Sequence, residues 1–303
     1  MLSICISDKG MLLVDAAIKG KKKIVVKNFT RAVGDGAFYM NENGFADYDR
    51  VREYLVAALN DLGNKDKKAY VTIDSASIVY EEIRVPFQTD RKVKVDLKQY
   101  MARFGAKANA YVADYKLNGK EKIEGRVMCN VSVIFVYAKV ISEISRLMNS
   151  VGITPLAVDI AQNASLKIIN KCIEDTTCKF DKEFILLDYK QDFVTLYLYK
   201  DGVKCHTENF EMKQKNGTRS YFLELKTKID VINDIANERM ITPTNIYVTG
   251  EVMQIKWALQ KLANVEDMNV NQLPMPKKVI RNIKNIEFNE YYAPLGTLLR
   301  SIN

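Results

Sequence analysis

The sequence offers few side chains for covalent or metal chemistry. Its 303 residues include five cysteines and a single histidine, His206, which directly follows Cys205. A zinc site needs about four ligands, so this pair cannot form one, and neighbours on a strand point to opposite faces, which argues against a catalytic Cys–His pair. Because the number of cysteines is odd and no Cys-x-x-Cys occurs, the sequence predicts free thiols in a reducing cytoplasm.

Basic side chains that could bind phosphate are more numerous. Lys9 and Lys190 each follow a predicted strand, where a lysine can hold a phosphate as a point charge or simply lie solvated in a turn. The net charge is +8, and the basic stretches Lys19–Lys23 and Lys65–Lys68 suit either solvated loops or a phosphate-binding patch. No nucleic-acid-binding motif accompanies them, so no nucleic-acid partner is predicted.

Hydropathy predicts no membrane-spanning segment. Asp8 and Lys9 interrupt the N-terminal apolar stretch too early for a signal peptide. The most apolar run, Val131–Ile141, falls short of the roughly 20 residues that a membrane-spanning helix needs. We therefore expect a cytoplasmic protein without direct membrane insertion, which reaches the inner face of the membrane through a partner.

One order of strands and helices occurs twice along the chain. The first half has predicted strands at Leu2–Ile6, Met11–Ile18 and Lys23–Thr30, a helix at Tyr48–Leu62 and a strand at Ala69–Ile73. The second half has strands at Phe184–Asp188, Phe193–Tyr199 and Val203–Phe210, a helix at Tyr221–Ala236, a strand at Asn245–Thr249 and a helix at Val252–Leu262. This duplication predicts an α/β protein with two actin-like (ribonuclease H-like) domains, and a nucleotide would be expected at the carboxyl ends of the strands, between the halves.

The first half also contains an insertion. The stretch Pro86–Ile153 predicts a helix, two strands and a second helix, at Asp90–Phe104, Ala110–Leu117, Gly125–Val136 and Ala138–Val151. The predicted domains are residues 1–86 with 154–180, an inserted α/β subdomain at residues 87–153, and a second domain at residues 181–303. We expect a C-terminal helix to pack back on the first domain.

Three stretches of sequence point to a known family. They are Val85-Pro86 followed by a helix and by Val112-Ala113-Asp114-Tyr115, the segment Ser150-Val151-Gly152-Ile153-Thr154-Pro155-Leu156-Ala157-Val158-Asp159, and the tail Ala293-Pro294-Leu295-Gly296-Thr297-Leu298-Leu299-Arg300. In their order and spacing they resemble the PilM/FtsA branch of the actin-like superfamily, and the PilM proteins of type IV pilus assembly in particular. The resemblance implies that the insertion is the subdomain called 1C in that branch.

The first phosphate-binding turn of that family is altered here. The family has an Asp-Ile-Gly sequence followed by small residues at the end of the first strand, where backbone amides approach the phosphates and the Asp orients metal-bound water. In this chain Cys5 stands at the Asp position and Ser7 at the Gly position. Asp8 is shifted along the turn and is followed by Lys9.

The other two nucleotide motifs are altered as well. The second phosphate turn keeps Asp188 but has Lys190 in place of Gly, and the adenosine motif keeps Gly250 but has Glu251 in place of its second Gly. A side chain at such a glycine crowds a nucleotide, and the charge of Glu251 should repel it. The resemblance thus implies a set of altered nucleotide-site equivalents, which are Ser7, Asp8, Lys9, Asp188, Lys190, Gly250 and Glu251.

A further departure concerns subdomain 2B, which in this family closes over the base. Only Glu211–Ser220 separates the strand that ends at Phe210 from the helix that begins at Tyr221, so 2B is predicted to be largely missing. We therefore expect a degenerate actin-like ATPase and no catalytic residues. No cofactor or metal is expected, with ATP and Mg²⁺ as the alternative if residual binding survives.

The resemblance also implies partners. PilM proteins bind the N-terminal tail of the membrane protein PilN beside subdomain 1C, and they contact assembly ATPases of the PilB/PilT type. The groove residues expected here are Tyr80, Glu81, Glu82, Arg84, Tyr137 and Ile141, unless these are ordinary sheet-surface or core residues. An FtsA-like cell-division protein and a sugar kinase are the alternatives. The first would need a C-terminal amphipathic helix, and the second would need phosphate glycines and a cleft Asp as base.

Overall fold

The computed structural model describes residues 1–20, 23–34, 36–86, 97, 99–123, 125–175, 178, 180–190, 193–211, 217–250, 262, 268–282 and 290–302. These residues form two units. The first contains Met1–Asp15 and Asn28–Ala161, and the second contains Ala16–Lys27 and Gln162–Asn303.

The chain begins with three strands, a short hairpin, a helix and a further strand. These are β1 (Leu2–Ser7), β2 (Gly10–Lys19), β3 (Lys23–Val33), β4 (Met40–Asn41), β5 (Gly44–Phe45), α1 (Tyr48–Leu62) and β6 (Lys68–Asp74). They are followed by β7 (Val79–Pro86), a 3₁₀ helix at Ala102–Ala110, β8 (Tyr111–Ile123), β9 (Arg126–Tyr137), α2 (Ala138–Ser150) and β10 (Thr154–Ile160).

The second half repeats this order. It contains α3 (Ala161–Glu174), β11 (Phe184–Lys190), β12 (Phe193–Lys200), β13 (Val203–Glu211), α4 (Gly217–Glu238), β14 (Asn245–Gly250) and β15 (Asn269–Gln272). It closes with β16 (Ile280–Arg281), α5 (Tyr292–Leu298) and a 3₁₀ helix at Leu299–Ser301.

The two main sheets share one strand order, which confirms the predicted duplication. In the first, the order is β10-β6-β1-β2-β3, with β16 added beside the start of β3, and in the second it is β15-β14-β11-β12-β13. In both, the first strand pairs antiparallel with the second and parallel with the strand that follows the helix. In both, the outer strand is parallel to its neighbour.

Helix α1 has the bounds that the sequence predicts. The side chain of Asp47 accepts a hydrogen bond from the Arg50 N–H at 3.1 Å, which satisfies one of the free donors of the first turn. Gly63 ends the helix with φ 64°, and its N–H donates to the carbonyls of Leu59 and Asn60. The buried stripe between these caps is Val51, Leu55, Ala58 and Leu62.

The inserted region forms a three-stranded antiparallel sheet, in the order β7-β9-β8. Side chains of β9 alternate between two apolar clusters, as expected of a strand covered on both faces. Ile134 and Val136 join the main core of the first unit, whereas Val131, Val133 and Phe135 pack with Leu97 in a separate cluster. Both faces of this sheet are therefore covered by apolar side chains over at least part of their length.

In the second unit, the two faces of the sheet pack against different helices. Leu187, Leu196 and Val248 belong to a cluster with Leu225 and Ile229 of α4. The C-terminal helix α5 packs so closely against α3 that a Cβ on Gly296 would lie 1.9 Å from the carbonyl oxygen of Ala164. Only glycine allows so close an approach.

Several predicted elements differ from the structure or fall outside the described residues. Helix α3 was not predicted, and α4 begins at Gly217 rather than at Tyr221. Residues 251–261, which contain most of the predicted helix Val252–Leu262, are outside the described residues, as is most of the predicted helix Asp90–Phe104. No helix in the described ranges is long and apolar enough to cross a membrane.

Candidate functional site

The first of the altered turns is held by the side chain of Asp8. Its Oδ1 accepts hydrogen bonds from the Met40 N–H at 3.1 Å and from the Ser75 hydroxyl at 2.9 Å, and its Oδ2 accepts one from the Ala76 N–H at 2.8 Å. The backbone N–H of Asp8 donates to the Asp74 carbonyl at 3.3 Å. Asp8 thus ties the β1–β2 turn to the β4 strand and to the segment after β6.

Burial raises the pKa of Asp8 above its ordinary value of 3.8, and the nearby carboxylate of Asp74 acts in the same direction. The hydrogen bonds from Ala76, Ser75 and Met40 oppose this rise without cancelling it. A carboxyl group in this setting serves the local fold. Sequence reasoning missed this role because its three partners lie far away along the chain.

Ser7 and Lys9 complete this turn. The Ser7 hydroxyl donates to the Gly10 carbonyl at 3.2 Å and accepts from the Lys9 N–H at 3.4 Å. The Lys9 carbonyl accepts from the Gly34 N–H at 2.8 Å. The serine at the expected glycine position is thus part of the hydrogen bonding within the turn.

Asp188 lies in a different setting, on the face of the second sheet that packs against α3. It shares a slot with Gln162 of α3 and with Thr249 of β14, together with Ser165, Leu166, Ile169, Leu186, Tyr197, Tyr199 and Lys204. The space there is about 10 Å³, close to the smallest volume that holds one water molecule. Within the described residues, Gln162 Oε1 and Thr249 Oγ1 find no hydrogen-bond partner, so a single water molecule would fit this slot and satisfy them.

The backbone conformation and close packing at Gly250 require a glycine there. Its φ is +111°, and a Cβ there would lie 1.9 Å from the carbonyl oxygen of Tyr189 on the neighbouring strand. The glycine therefore permits the close approach of two strand ends, whether or not a nucleotide binds. Glu251 and the side chain of Lys190 lie outside the described residues.

The candidate groove residues on β7 are divided between the two faces of the strand. Tyr80, Glu82 and Arg84 occupy alternate positions on one face, opposite Ile134, Ser132 and Asn130 of β9. The Tyr80 hydroxyl donates to the Ser132 hydroxyl at 2.9 Å, and Arg84 is exposed. The side chain of Glu82 lies outside the described residues.

Glu81 lies on the opposite face. It accepts a hydrogen bond from the Tyr100 hydroxyl and forms an ion pair with Arg103, whose guanidinium stacks 3.8 Å from the centre of the Tyr100 ring. Burial, followed by the hydrogen bond to Glu81, raises the pKa of Tyr100 to about 12. The structure therefore separates Glu81 from Tyr80 and Arg84.

Tyr137 and Ile141 lie at the junction of β9 and α2. Both are half-buried against the core of the first unit, which also receives Tyr80. The Tyr137 ring stacks on Tyr111 with 4.4 Å between ring centres. Tyr80, Tyr137 and Ile141 thus all pack against the core of the first unit. Ser132, which accepts the hydrogen bond from Tyr80, is a polar residue beside them that the sequence alone did not single out. In the described part of the chain, no group of three or more His, Cys, Asp or Glu residues is placed to hold a metal ion.

Comparison with known proteins shows similarity in structure alone. No protein-family model and no curated protein sequence matches the chain. A solved PilM–PilN type IV pilus biogenesis complex matches with a TM-score of 0.79 at 14% identity, over 100% of this chain and 98% of the other.

Two further structures match less well. A Bacteroides thetaiotaomicron protein of unknown function with an actin-like ATPase fold gives a TM-score of 0.52 at 11% identity, over 93% of this chain and 92% of the other. The cytoplasmic domain of EpsL, an inner-membrane component of the Vibrio cholerae type II secretion system, gives 0.52 at 8% identity, over 99% and 93%. The chain therefore has the actin-like fold, in the form that the PilM–PilN complex contains.

Proposed function

We propose that this protein is a cytoplasmic scaffold of a type IV pilus assembly platform that binds the N-terminal tail of a PilN-like membrane protein. The observation that carries the proposal is the match to the PilM–PilN complex, which extends over nearly the full length of both chains. A match with a lower TM-score is the cytoplasmic domain of EpsL, an inner-membrane component of a type II secretion system. On this proposal the protein is peripheral to the inner face of the membrane and is held there by its partner.

The surface that we assign to the tail is the face of β7 that carries Tyr80, Glu82 and Arg84. An extended peptide gains affinity from main-chain hydrogen bonds and specificity from side-chain pockets. The partly buried side chains of Tyr80, Tyr137 and Ile141 would supply apolar contact area, and Arg84 would supply exposed charge. Glu81 is not part of this surface, because its carboxylate contacts Tyr100 and Arg103 on the other face.

We also propose that nucleotide binding is weak or lost. Three observations support this part. Asp8 is engaged by three hydrogen bonds within the first unit, and the slot beside Asp188 has room for about one water molecule. The interval of residues 212–216 between β13 and α4 is also short for a 2B subdomain. An assembly ATPase of the PilB/PilT type remains a proposed partner by analogy with PilM.

The test of the partner is affinity capture from detergent-solubilised membranes of the source cells, followed by mass spectrometry. We expect a membrane protein with one span and a short cytoplasmic N-terminal tail, and a synthetic peptide of that tail should bind the purified protein. Capture of cell-division proteins in its place would support the FtsA-like alternative. A captured membrane protein whose tail peptide does not bind would contradict the proposal.

The test of nucleotide loss is calorimetric titration with MgATP. We expect no binding in the micromolar range. A micromolar dissociation constant that is weakened by Asp188→Asn would show that the second turn still holds a nucleotide.

A further inference from the structure

Two of the five cysteines lie together at the end of helix α3. Cys172 is in the last turn of the helix and is fully buried, and Cys178 follows shortly after the helix and is half-buried. The Cys172 thiol donates to the Pro274 carbonyl at 3.2 Å, and the Cys178 thiol donates to the Met275 carbonyl at 3.7 Å. The two sulfur atoms therefore contact consecutive peptide groups of one segment, the connection between β15 and β16.

The two thiols also contact each other. A side-chain hydrogen bond between them acts to lower the pKa of Cys178 and to raise the pKa of Cys172, as expected when the Cys172 thiol donates and the Cys178 sulfur accepts. The chain between them turns back at Asp175, whose carbonyl accepts a hydrogen bond from the Cys178 N–H at 2.8 Å. This turn and the shared contact with one segment hold the two sulfur atoms side by side.

We propose that Cys172 and Cys178 are a thiol-oxidation site, at which a low-molecular-weight disulfide converts the pair to an intramolecular disulfide. The Cys178 thiolate attacks one sulfur of the small disulfide, forms a mixed disulfide and expels one small thiolate. The Cys172 thiol then loses its proton to solvent, and its sulfur attacks the sulfur of Cys178, which closes the Cys172–Cys178 bond and expels the second small thiolate. The protein thus loses two electrons and two protons, and the small disulfide is reduced to two thiols.

Exposure and hydrogen bonding assign the first step to Cys178. It is the more exposed of the two residues, and hydrogen bonds from the Cys172 thiol and from the Lys277 N–H favour its thiolate, which is the reactive form. Burial, followed by the charge of Asp175, opposes them and keeps the pKa of the Cys178 thiol above its ordinary value of 9.0. Burial raises the pKa of the Cys172 thiol as well. The reaction therefore begins at Cys178, and it is slow at neutral pH.

The segment that the two thiols contact has other anchors. The Tyr292 hydroxyl of α5 is within hydrogen-bond distance of the carbonyls of Leu273 and Pro274. The Lys278 ammonium pairs with Oδ1 of Asp175 at 3.0 Å, and the Lys278 N–H donates to Oδ2 at 3.4 Å. These contacts involve no sulfur atom, so they persist when a disulfide replaces the two thiol donors. Oxidation is therefore compatible with the folded second unit, and the inference is independent of the proposed function.

The test is equilibration of the purified full chain in mixtures of reduced glutathione and glutathione disulfide, followed by alkylation, tryptic digestion and mass spectrometry. Trypsin cleaves after Lys171 and Lys179, so one peptide, 172–179, carries both cysteines. We expect this peptide to be unalkylated and lighter by two hydrogen atoms. It should form at a glutathione disulfide concentration at least about tenfold below that needed for an adduct on Cys205, because ring closure is intramolecular. Recovery of the peptide with both cysteines alkylated, or with a lasting glutathione adduct, would overturn the proposal.

Single variants separate the roles of the two thiols. Cys172→Ser keeps a donor for the Pro274 carbonyl but cannot resolve the mixed disulfide, so a glutathione adduct should accumulate on Cys178. Cys178→Ser removes the first step and should leave Cys172 reduced. Cys205→Ser is the matched control, because Cys205 is also half-buried and donates to one carbonyl, that of Leu198, and it should leave the oxidation of peptide 172–179 unchanged. An adduct on Cys172 in Cys178→Ser, with none on Cys178 in Cys172→Ser, would refute the assigned order. The wild-type digest decides the proposal even if a variant fails to fold.

Discussion

The two copies of the repeated unit share a strand order but use their acidic residues differently. In the first unit, the carboxylate of Asp8 is bonded to three groups from two other segments. In the second, Asp188 lies on a sheet face, beside a slot with room for about one water molecule under α3. Duplicated topology therefore preserves the positions of strands and turns, while the side chains at the turns are free to take local structural roles.

Strands β6 and β14 hold equivalent places in the two sheets, and their carboxyl ends also differ. β6 ends at Asp74, whose carbonyl accepts the Asp8 N–H, so side-chain and backbone hydrogen bonds close the first turn. β14 ends at Gly250, where two backbones lie so close that a Cβ would collide with the Tyr189 carbonyl. The first unit therefore depends on a polar side chain at this place, and the second depends on the absence of a side chain.

The largest effect should come from Gly250→Ala. The added Cβ would require both a strained positive φ and movement of the Tyr189 backbone, so we expect a loss of about 3 kcal/mol in the free energy of unfolding. Gly63→Ala is the matched control, because φ is also positive there but nothing lies within 4 Å of the Cβ position. It should cost about 1 kcal/mol. Equal losses in urea denaturation would show that the close approach at Gly250 is unimportant.

The next effect compares the two acids by the same substitution. Asp8→Asn replaces one accepting oxygen by a donor and leaves a backbone N–H of Met40 or Ala76 without its partner, which should cost about 2 kcal/mol. Asp188→Asn should change the free energy of unfolding by less than about 1 kcal/mol. Chemical denaturation of both variants measures the difference, and a larger loss at Asp188 would reverse the comparison.

The smallest effect concerns pH. Because burial raises the folded-state pKa of Asp8 above 3.8, the folded protein binds this proton more tightly than the unfolded chain does. The contribution of Asp8 to stability is therefore largest below pH 3.8 and declines as the pH rises through the folded-state pKa. The stability of wild type relative to Asp8→Asn should fall over that interval and then level off. A rise over the same interval would mean that the hydrogen bonds outweigh burial.

Much of this fold can be predicted from local sequence. Helix α1 has a capping residue, an apolar stripe and a terminal glycine, and its bounds were predicted correctly. Helix α3 was missed because β10 runs directly into it at Ile160 and Ala161 with no glycine or proline between them. Its buried positions, Ala164, Ile168 and Cys172, nevertheless have the four-residue spacing that could have revealed it.

The candidate site was less predictable, for a physical reason. Alternation along β7 implies that Glu81 and Glu82 face opposite sides, but it cannot tell which side another segment covers. The contacts of Glu81 with Tyr100 and Arg103 depend on residues about 20 positions away. The partners of Asp8 are likewise distant in sequence, so its anchoring role could be found only in three dimensions.

The central claim is that the protein binds a membrane partner through the β7 face, and one calorimetric titration tests it most directly. The N-terminal tail peptide of the captured partner is titrated into wild type, into the double variant Glu82→Ala/Arg84→Ala, and into Glu81→Gln as a control on the opposite face. We predict that the double variant binds about tenfold more weakly, with stability within about 0.5 kcal/mol of wild type, and that Glu81→Gln binds as wild type does. Unchanged affinity in the double variant would contradict the account.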